Sequence, residues 1–497
     1  MRLKPLTACL SETFTLESAS HPILDLSLTS CFLKDQLMPD IICLSPIDGR
    51  ELVRRPSASA AQIATTLDKA RSAQRQWARV PLQERMRKIS AFVDAMLAMN
   101  QEVVPELAQQ MGRPIKWGGE FKPFEQRARA MISYAPKALA PITPDPLDGF
   151  TRFMEKTPVG VVLVIAPWNY PYLTAVNSVV PALVAGNAVI LKHAAQTLLV
   201  GERFARAMQS ADLPEGLFTN LVLTHDDTAQ LLSSGSVNHA NFTGSVAGGK
   251  AIERSAAGTF TTLGLELGGK DPAYVRADAH LTHAIENLVD GSFFNSGQCC
   301  CGIERIYVHE KLYSDFVDGF VALTKSYQLG NPLEEATTLG PMATLRGANV
   351  VRAQIRDAVA QGAVTHIDPK LFPRDSGQDN YVMPQVLTQV DHTMTLMREE
   401  NFGPVVGIMK VKSDEEAITL MNDSPYGLTA AFWTQDEDAA RTLGQRLETG
   451  TVFMNRCDYL DPALAWTGVK DTGRGVSLSE IGYDMLTRLK SFHLRQI

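Results

Sequence analysis

PVGVVLVIAPWNYPYLTAVNSVVPALVAGNAVILK, residues 158–192, reads as strand, helix, strand. Val159 to Ala166 is an unbroken apolar run, the pattern of a strand buried on both faces. Ala188 to Leu191 repeats it more briefly. Two such strands joined through a helix run parallel, because a parallel pair needs a long crossover. Outward from this unit the alternation continues. Strands are expected at Leu221–Leu223, Ala240–Phe242, Thr261–Leu267, Ile306–His309, Val405–Met409, Ala430–Phe432 and Thr451–Met454. Helices are expected at Ser57–Val80, where Ile63, Leu67, Ala70 and Trp77 recur at helical spacing, and at Leu82–Met99, with Leu82, Met86, Ile89, Val93 and Met96. The pattern is α/β: a mostly parallel sheet covered on both faces.

One stretch breaks the alternation. Ile142 to Thr157 reads as strand, turn, strand about Asp148-Gly149. Phe150, Arg152 and Met154 alternate there with Thr151, Phe153 and Glu155, and Ser491 to Ile497 alternates in the same way. A lone hairpin is marginal in water, so the C-terminal strand or a second subunit is its expected partner. Residues 1–37 show no sustained period. Arg2 and Lys4 precede a short apolar patch, but Glu12 and Glu17 follow, so an extension outside the main fold is expected rather than a targeting peptide.

The 497 residues carry 47 Lys+Arg against 54 Asp+Glu, a net charge of -7 that argues against a broad nucleic-acid surface. The longest apolar stretch, Val159 to Trp168, is far short of the ~20 residues that span a bilayer. The seven cysteines (9, 31, 43, 299, 300, 301 and 457) are odd in number and sparse. They point to a reduced compartment, and a cytoplasmic location is expected.

Several motifs invite chemistry. No GxGxxG is present. Gly244 to Lys250 approaches a phosphate-binding P-loop, but Ala251 stands where a magnesium-holding Ser or Thr is required. The remaining reading is a strand-to-helix turn with Ser245 near a cofactor pyrophosphate. Cys299-Cys300-Cys301 lacks metal-ligand spacing; it reads either as three small buried residues or, after Asn295-Ser-Gly-Gln298, as a turn into a helix N-terminus that activates a thiolate. Glu266 lies between two leucines just before Gly268-Gly269. It is either an exposed strand residue or a pocket-edge carboxylate with a raised pKa suited to a general base.

Eight motifs in order resemble the NAD(P)-dependent aldehyde dehydrogenase superfamily over residues 41–497: PVGVVLVIAPWNYP (158–171), PALVAGNAVILK (181–192), FTGS (242–245), LELGGKDP (265–272), FFNSGQCC (293–300), ENFGP (400–404), YGLTA (426–430) and GVKDTGRG (468–475). The resemblance implies that Cys300 is the nucleophile, Asn169 an oxyanion donor and Glu266 the base that activates water. For NAD or NADP it implies Lys192 on the adenosine ribose, Ser245 on the pyrophosphate, Glu400 on the nicotinamide ribose and Phe402 near the nicotinamide. Ile165, Trp168, Ala195, Gly244, Gly249 and Leu267 complete the expected cofactor set. The expected substrate tunnel comprises Tyr170, Phe294, Cys299, Cys301, Tyr459 and Trp466, with Asn177 and Arg456 as further candidates; no metal is expected.

Departures from the family pattern also carry information. After Lys192 the chain reads His193-Ala194-Ala195, without the Glu that repels a 2′-phosphate in NAD-selective members, so use of both NAD and NADP is expected, with Lys192 and His193 offering donors. Ser178 replaces a frequent lysine, and Gly475-Val476-Ser477 lacks a second acidic group. The resemblance implies a Rossmann-type cofactor domain (41–138, 156–264, with 459–482 returning to it), an α/β catalytic domain (265–458) and oligomerisation strands (139–155, 483–497), after an extension over 1–40. A homodimer or homotetramer acting on a small-molecule aldehyde is implied. The alternatives are a CoA-acylating semialdehyde dehydrogenase, whose members generally lack the Glu, and a non-catalytic relative, against which Cys300, Glu266 and Asn169 speak.

Overall fold

Val161–Ala166 and Ala188–His193 lie side by side, parallel and buried at every residue, inside a six-stranded sheet. Its order is Gly473–Arg474, Thr262–Glu266, His239–Thr243, Val161–Ala166, Ala188–His193, Phe218–Asn220. Only the first of these is antiparallel to its neighbour. The structure, a computed structural model, describes residues 38–497. The extension expected over 1–40, with Cys9 and Cys31, lies outside the described residues except at its end. There Asp40 belongs to the fold instead: Asp40–Leu44 pairs antiparallel with Glu51–Pro56. One unit runs from Asp40 to Ile497.

The crossover helix Pro171–Val184 buries thirteen of its fourteen residues. A helix apolar all round belongs in the interior, and this one packs on the helix Phe121–Ala138. The second sheet has seven strands in the order Val364–Thr365, Gln385–Thr388, Val405–Val411, Ile303–His309, Asp271–Val275, Thr429–Trp433, Thr451–Met454. It is parallel except at its first strand. Among the described residues no helix is long and apolar enough to cross a membrane.

Local chemistry explains where the sequence reading slipped. The strand expected at Leu221–Leu223 is instead Phe218–Asn220. Leu221 still donates to Leu191 O (2.8 Å), but Val222 O then accepts from Ala58, so the chain has left the sheet. The helix expected from Ser57 begins at Ala60. Ser59 caps it: its hydroxyl accepts from the Gln62 N–H while Gln62 Oε1 accepts from the Ser59 N–H. Asp271–Val275 was not anticipated because it opens with Asp-Pro. Pro272 is tolerated because the ladder with Thr429–Trp433 starts one residue later, at Ala273, and on the other side it meets Arg305 where the register shifts after Ile303.

The expected hairpin is half right. Its turn is there: the Phe150 N–H donates to Leu147 O (3.0 Å), and Gly149 has φ +76. Its first arm is not a strand, since Pro141, Pro144 and Pro146 cannot donate to a ladder, and Ile142 makes only a bridge to Met154. The second arm, Phe150–Pro158, pairs antiparallel along its whole length with Thr487–Arg495. Phe153 and Phe492 stack across this ribbon at 4.5 Å.

Candidate active site

The chain runs outward from Val161–Ala166 in one direction and from His239–Thr243 in the other, so these neighbours form a topological switch point. Ligands of open α/β sheets bind beyond the carboxyl ends of such strands. Here those ends lead into Pro167-Trp168-Asn169 and into Gly244-Ser245. A cleft of about 380 Å³ opens there, and Trp168, Gly244, Ser245, Leu267, Glu400 and Phe402 of the expected cofactor set line it. A second cavity of about 230 Å³ is lined by all six expected tunnel residues and by Asn177. The two cavities share Thr243, Glu266, Leu267 and Cys300.

Cys300 is half-buried, whereas Cys299 and Cys301 are 8% and 2% exposed. Only Cys300 faces both cavities. The expected helix N-terminus is absent. Cys300 lies in a turn that feeds the strand Ile303–His309, so no helix dipole acts on it. The misreading came from Asn295-Ser-Gly, which holds three successive left-handed residues (φ 54, 56 and 68). Side-chain bonds pay for that strain. Asn295 Nδ2 donates to Asn169 O and Gln298 O (both 3.2 Å), Ser296 Oγ to Gly340 O (2.8 Å), and Gln298 Oε1 accepts from the Ala343 N–H (2.8 Å).

The three thiols titrate as one group. Cys299 and Cys301 Sγ lie 3.5 Å apart. Hydrogen bonds from Cys300 and Cys301 pull the Cys299 thiol down, and the bond to Cys299 pushes Cys300 and Cys301 up. Of the three sulfurs, that of Cys300 alone borders both cavities.

Asn169 sits in a rigid frame. Its carbonyl accepts from Arg113 Nη2 (2.7 Å) and Asn295 Nδ2. Its own Nδ2 donates to Gln298 O at 3.3 Å, leaving a second N–H unspent. Arg113 is locked to buried Glu120 (2.7 Å), whose other oxygen accepts from the Tyr172 and Leu173 N–H groups. Glu266 ends its strand against Gly473 and Thr243. Burial raises its pKa, opposed by a hydrogen bond from Ser477, by the Arg127 charge and by Thr243. Ser477 Oγ donates to Oε1 at 2.6 Å, so the position that lacks a second acid serves Glu266 as a donor. Replacing Ser477 by Ala removes a bond that favours the carboxylate. A kcat profile whose acid limb reports Glu266 should then move to higher pH, as read from pH–rate curves of the two proteins.

The cofactor set divides in two. The Gly268-Gly269 pair is dictated by crowding: a Cβ at 268 would lie 2.5 Å from Glu400 Oε1, and one at 269 would lie 2.3 Å from Cys300 O. Glu400 Oε1 accepts from the Gly269 N–H (3.0 Å). Burial and Glu304 push its pKa up to about 8. Phe402, at φ 49, is pinned by its N–H donating to Glu304 Oε1 (2.9 Å) and packs edge-on against Trp168 (5.6 Å). Ser245 caps the helix Val246–Ala256, its hydroxyl accepting from Gly248 (3.2 Å). Ile165, Lys192, Ala195 and Gly249 do not line the cleft. Ile165 and Lys192 are register partners in the sheet, Ala195 is exposed, and a Cβ at Gly249 would lie 2.5 Å from the Leu267 side chain.

His193 corrects an expectation. It is buried and neutral, its pKa lowered to about 3 by desolvation, and its ring contacts Pro171 O (3.3 Å) and the Ala194 N–H (3.0 Å). It offers a 2′-phosphate nothing. Arg456, a candidate for the tunnel, lies instead over the Tyr459 ring at 3.7 Å. Thr344 and Arg346 in the cleft, at the start of the helix Leu345–Ala360, and Gln126 and Arg127 in the second cavity were not anticipated from the sequence. None lies in a motif that singles it out.

A cysteine shared by a cofactor cleft and a substrate cavity, with a buried carboxylate and an amide donor beside it, belongs to the thiol dehydrogenases. The chain is a member of the aldehyde dehydrogenase family, whose sequence model matches residues 32–492. It is 33% identical over 451 residues to the NAD(P)+ succinate semialdehyde dehydrogenase Sad of Escherichia coli (strain K12), covering 89% of this chain and 95% of that protein. It is 34% identical over 460 residues to an aldehyde dehydrogenase of Paenarthrobacter nicotinovorans, covering 91% and 99%. The solved succinate-semialdehyde dehydrogenase of Burkholderia pseudomallei superposes with a TM-score of 0.87 at 28% identity, over 92% of this chain and 95% of that one. The protein is an oxidoreductase that oxidises an aldehyde with NAD or NADP.

Proposed function

We propose that the oxidation runs through a covalent intermediate on Cys300 that Glu266 helps to hydrolyse. The observation that carries this reading is the junction of the two cavities at Cys300 and Glu266. The Cys300 thiolate attacks the aldehyde carbon, and the carbonyl oxygen gains charge as a thiohemiacetal forms. The unspent Asn169 N–H and the Cys300 backbone N–H meet that charge; one such donor contributes ~2.7–4 kcal/mol in comparable chemistry. The bound nicotinamide supplies the hydride acceptor, and an acyl thioester remains on Cys300. Glu266, raised by burial and positioned by Ser477, takes a proton from the water that cleaves the thioester.

The residues of the cleft suit a dinucleotide. The capped start of Val246–Ala256 favours a pyrophosphate, and Glu400 Oε2 is left to bond a ribose hydroxyl; Lys192, outside the cleft lining, stands near the end of its strand beside Ile165. With no carboxylate at Ala195, both NAD and NADP are accepted. The test is reduced-nicotinamide absorbance with each cofactor over a panel of aldehydes. Turnover with both is expected, and absence of cofactor-dependent oxidation would sink the reading. The domain division at 41–138, 156–264, 265–458 and 459–482 is part of the same proposal, as is a cytoplasmic location.

The 139–155 and 483–497 segments are proposed to build a homodimer or homotetramer. Their two-stranded ribbon leaves Leu489 and Leu494 more than half exposed, and exposed strand edges invite pairing. Deleting residues 490–497 is expected to lower the oligomeric state or solubility in light scattering. A stable full-length monomer at micromolar concentration would contradict it.

A further inference from the structure

Arg127 is the one basic residue among those lining the second cavity. It projects from the helix Phe121–Ala138 and is 8% exposed. Its Nη1 donates to Leu173 O (3.1 Å), and its Nε is buried without a partner among the described residues. Glu120, the acid that acts on it most strongly, is already paired with Arg113 at 2.7 Å. Glu266 acts on Arg127 through space, but no carboxylate among the described residues pairs with it directly, and a buried guanidinium with an unmade bond is costly until a ligand completes it.

We propose that Arg127 anchors a carboxylate carried by the substrate at the end remote from the aldehyde, so that carboxylated aldehydes are preferred over neutral ones of equal length. The proposal rests on oxidation at Cys300. Asn177 lines the same cavity, and its amide N–H is a donor that can join Arg127 on a carboxylate. Leu173, Leu460 and Trp466 supply apolar wall for the methylenes between the two ends. Burial holds the Asp458 carboxyl, also in the wall, well above the usual carboxylate range, and Arg456 lies beside it, so its opposition to an anion is weakened. The fork of an arginine suits a planar carboxylate and pairs with it in a charge-assisted, two-bond geometry.

The test compares 4-oxobutanoate and 5-oxopentanoate with butanal and pentanal, on the wild type and on Arg127→Met and Arg127→Lys. In the wild type kcat/KM should favour the carboxylated series by about tenfold or more, a result that needs no variant to fold. Arg127→Met should lower kcat/KM for the carboxylated series by about 100-fold, mostly through KM, and lower it far less for the alkanals, with Arg127→Lys in between. Retained NAD(P)H binding reports an intact fold. Equal wild-type preference for the two series overturns the proposal. So does an equal fall of both series in Arg127→Met with a shifted pH profile, which would place Arg127 with the charges of Glu266 and Cys300. No oxidation of either series by the wild type would overturn the underlying reading as well.

Discussion

Cys300→Ala is expected to bind NAD(P)H as the wild type does and to oxidise no aldehyde, kcat falling by roughly 10⁴-fold or more. The size follows from the role. Without a sulfur no thiohemiacetal forms, and the oxyanion donors have no developing charge to meet. Cys299 and Cys301 share hydrogen bonds with Cys300 but lack its access to the cofactor cleft. Their single replacements should each stay within about tenfold of the wild type, since neither touches both reactants. Steady-state assays of the three variants decide the matter, and normal turnover by Cys300→Ala would remove it from the mechanism.

Glu266→Gln separates the two halves of the reaction. Glutamine keeps the shape, and its amide can still accept from Ser477 Oγ, but it cannot take a proton from water. Acyl-enzyme formation and one round of hydride transfer should survive, while hydrolysis slows by about 10²–10⁴-fold, the usual worth of a general base. Rapid mixing should show a burst of reduced cofactor near one per active site, then a slow steady state. Loss of the burst along with the steady state would move Glu266 to the first half-reaction.

What the sequence made legible was the chemistry that depends on short, contiguous motifs. The buried strand at Val161–Ala166, the turn through Asn169, the Glu266-Leu-Gly-Gly run and the Cys300 loop each occupy one short contiguous segment of the chain. Periodicity and glycine placement report on such segments directly. The misses have a common cause: they concern what lies across space. His193 looks like a cofactor donor until its ring is seen against Pro171, twenty-two residues away. Arg127 reaches the cavity from a helix more than 300 residues from Tyr459 and Trp466, and nothing in its own neighbourhood advertises it. The helix expected after Cys300 failed for a local reason instead. Asn295 and Ser296 adopt left-handed backbone, and long-range bonds such as Ser296 Oγ to Gly340 O stabilise what their own propensities would not.

The most direct test of the account traps the intermediate itself. Glu266→Gln, mixed with an oxidisable aldehyde and NAD(P)+ and quenched in acid during the slow phase, is digested and mapped by mass spectrometry. One acyl adduct per chain is expected, placed by fragmentation on Cys300 and absent from Cys299 and Cys301. An adduct on either neighbouring cysteine, or none while reduced cofactor accumulates, would contradict that assignment.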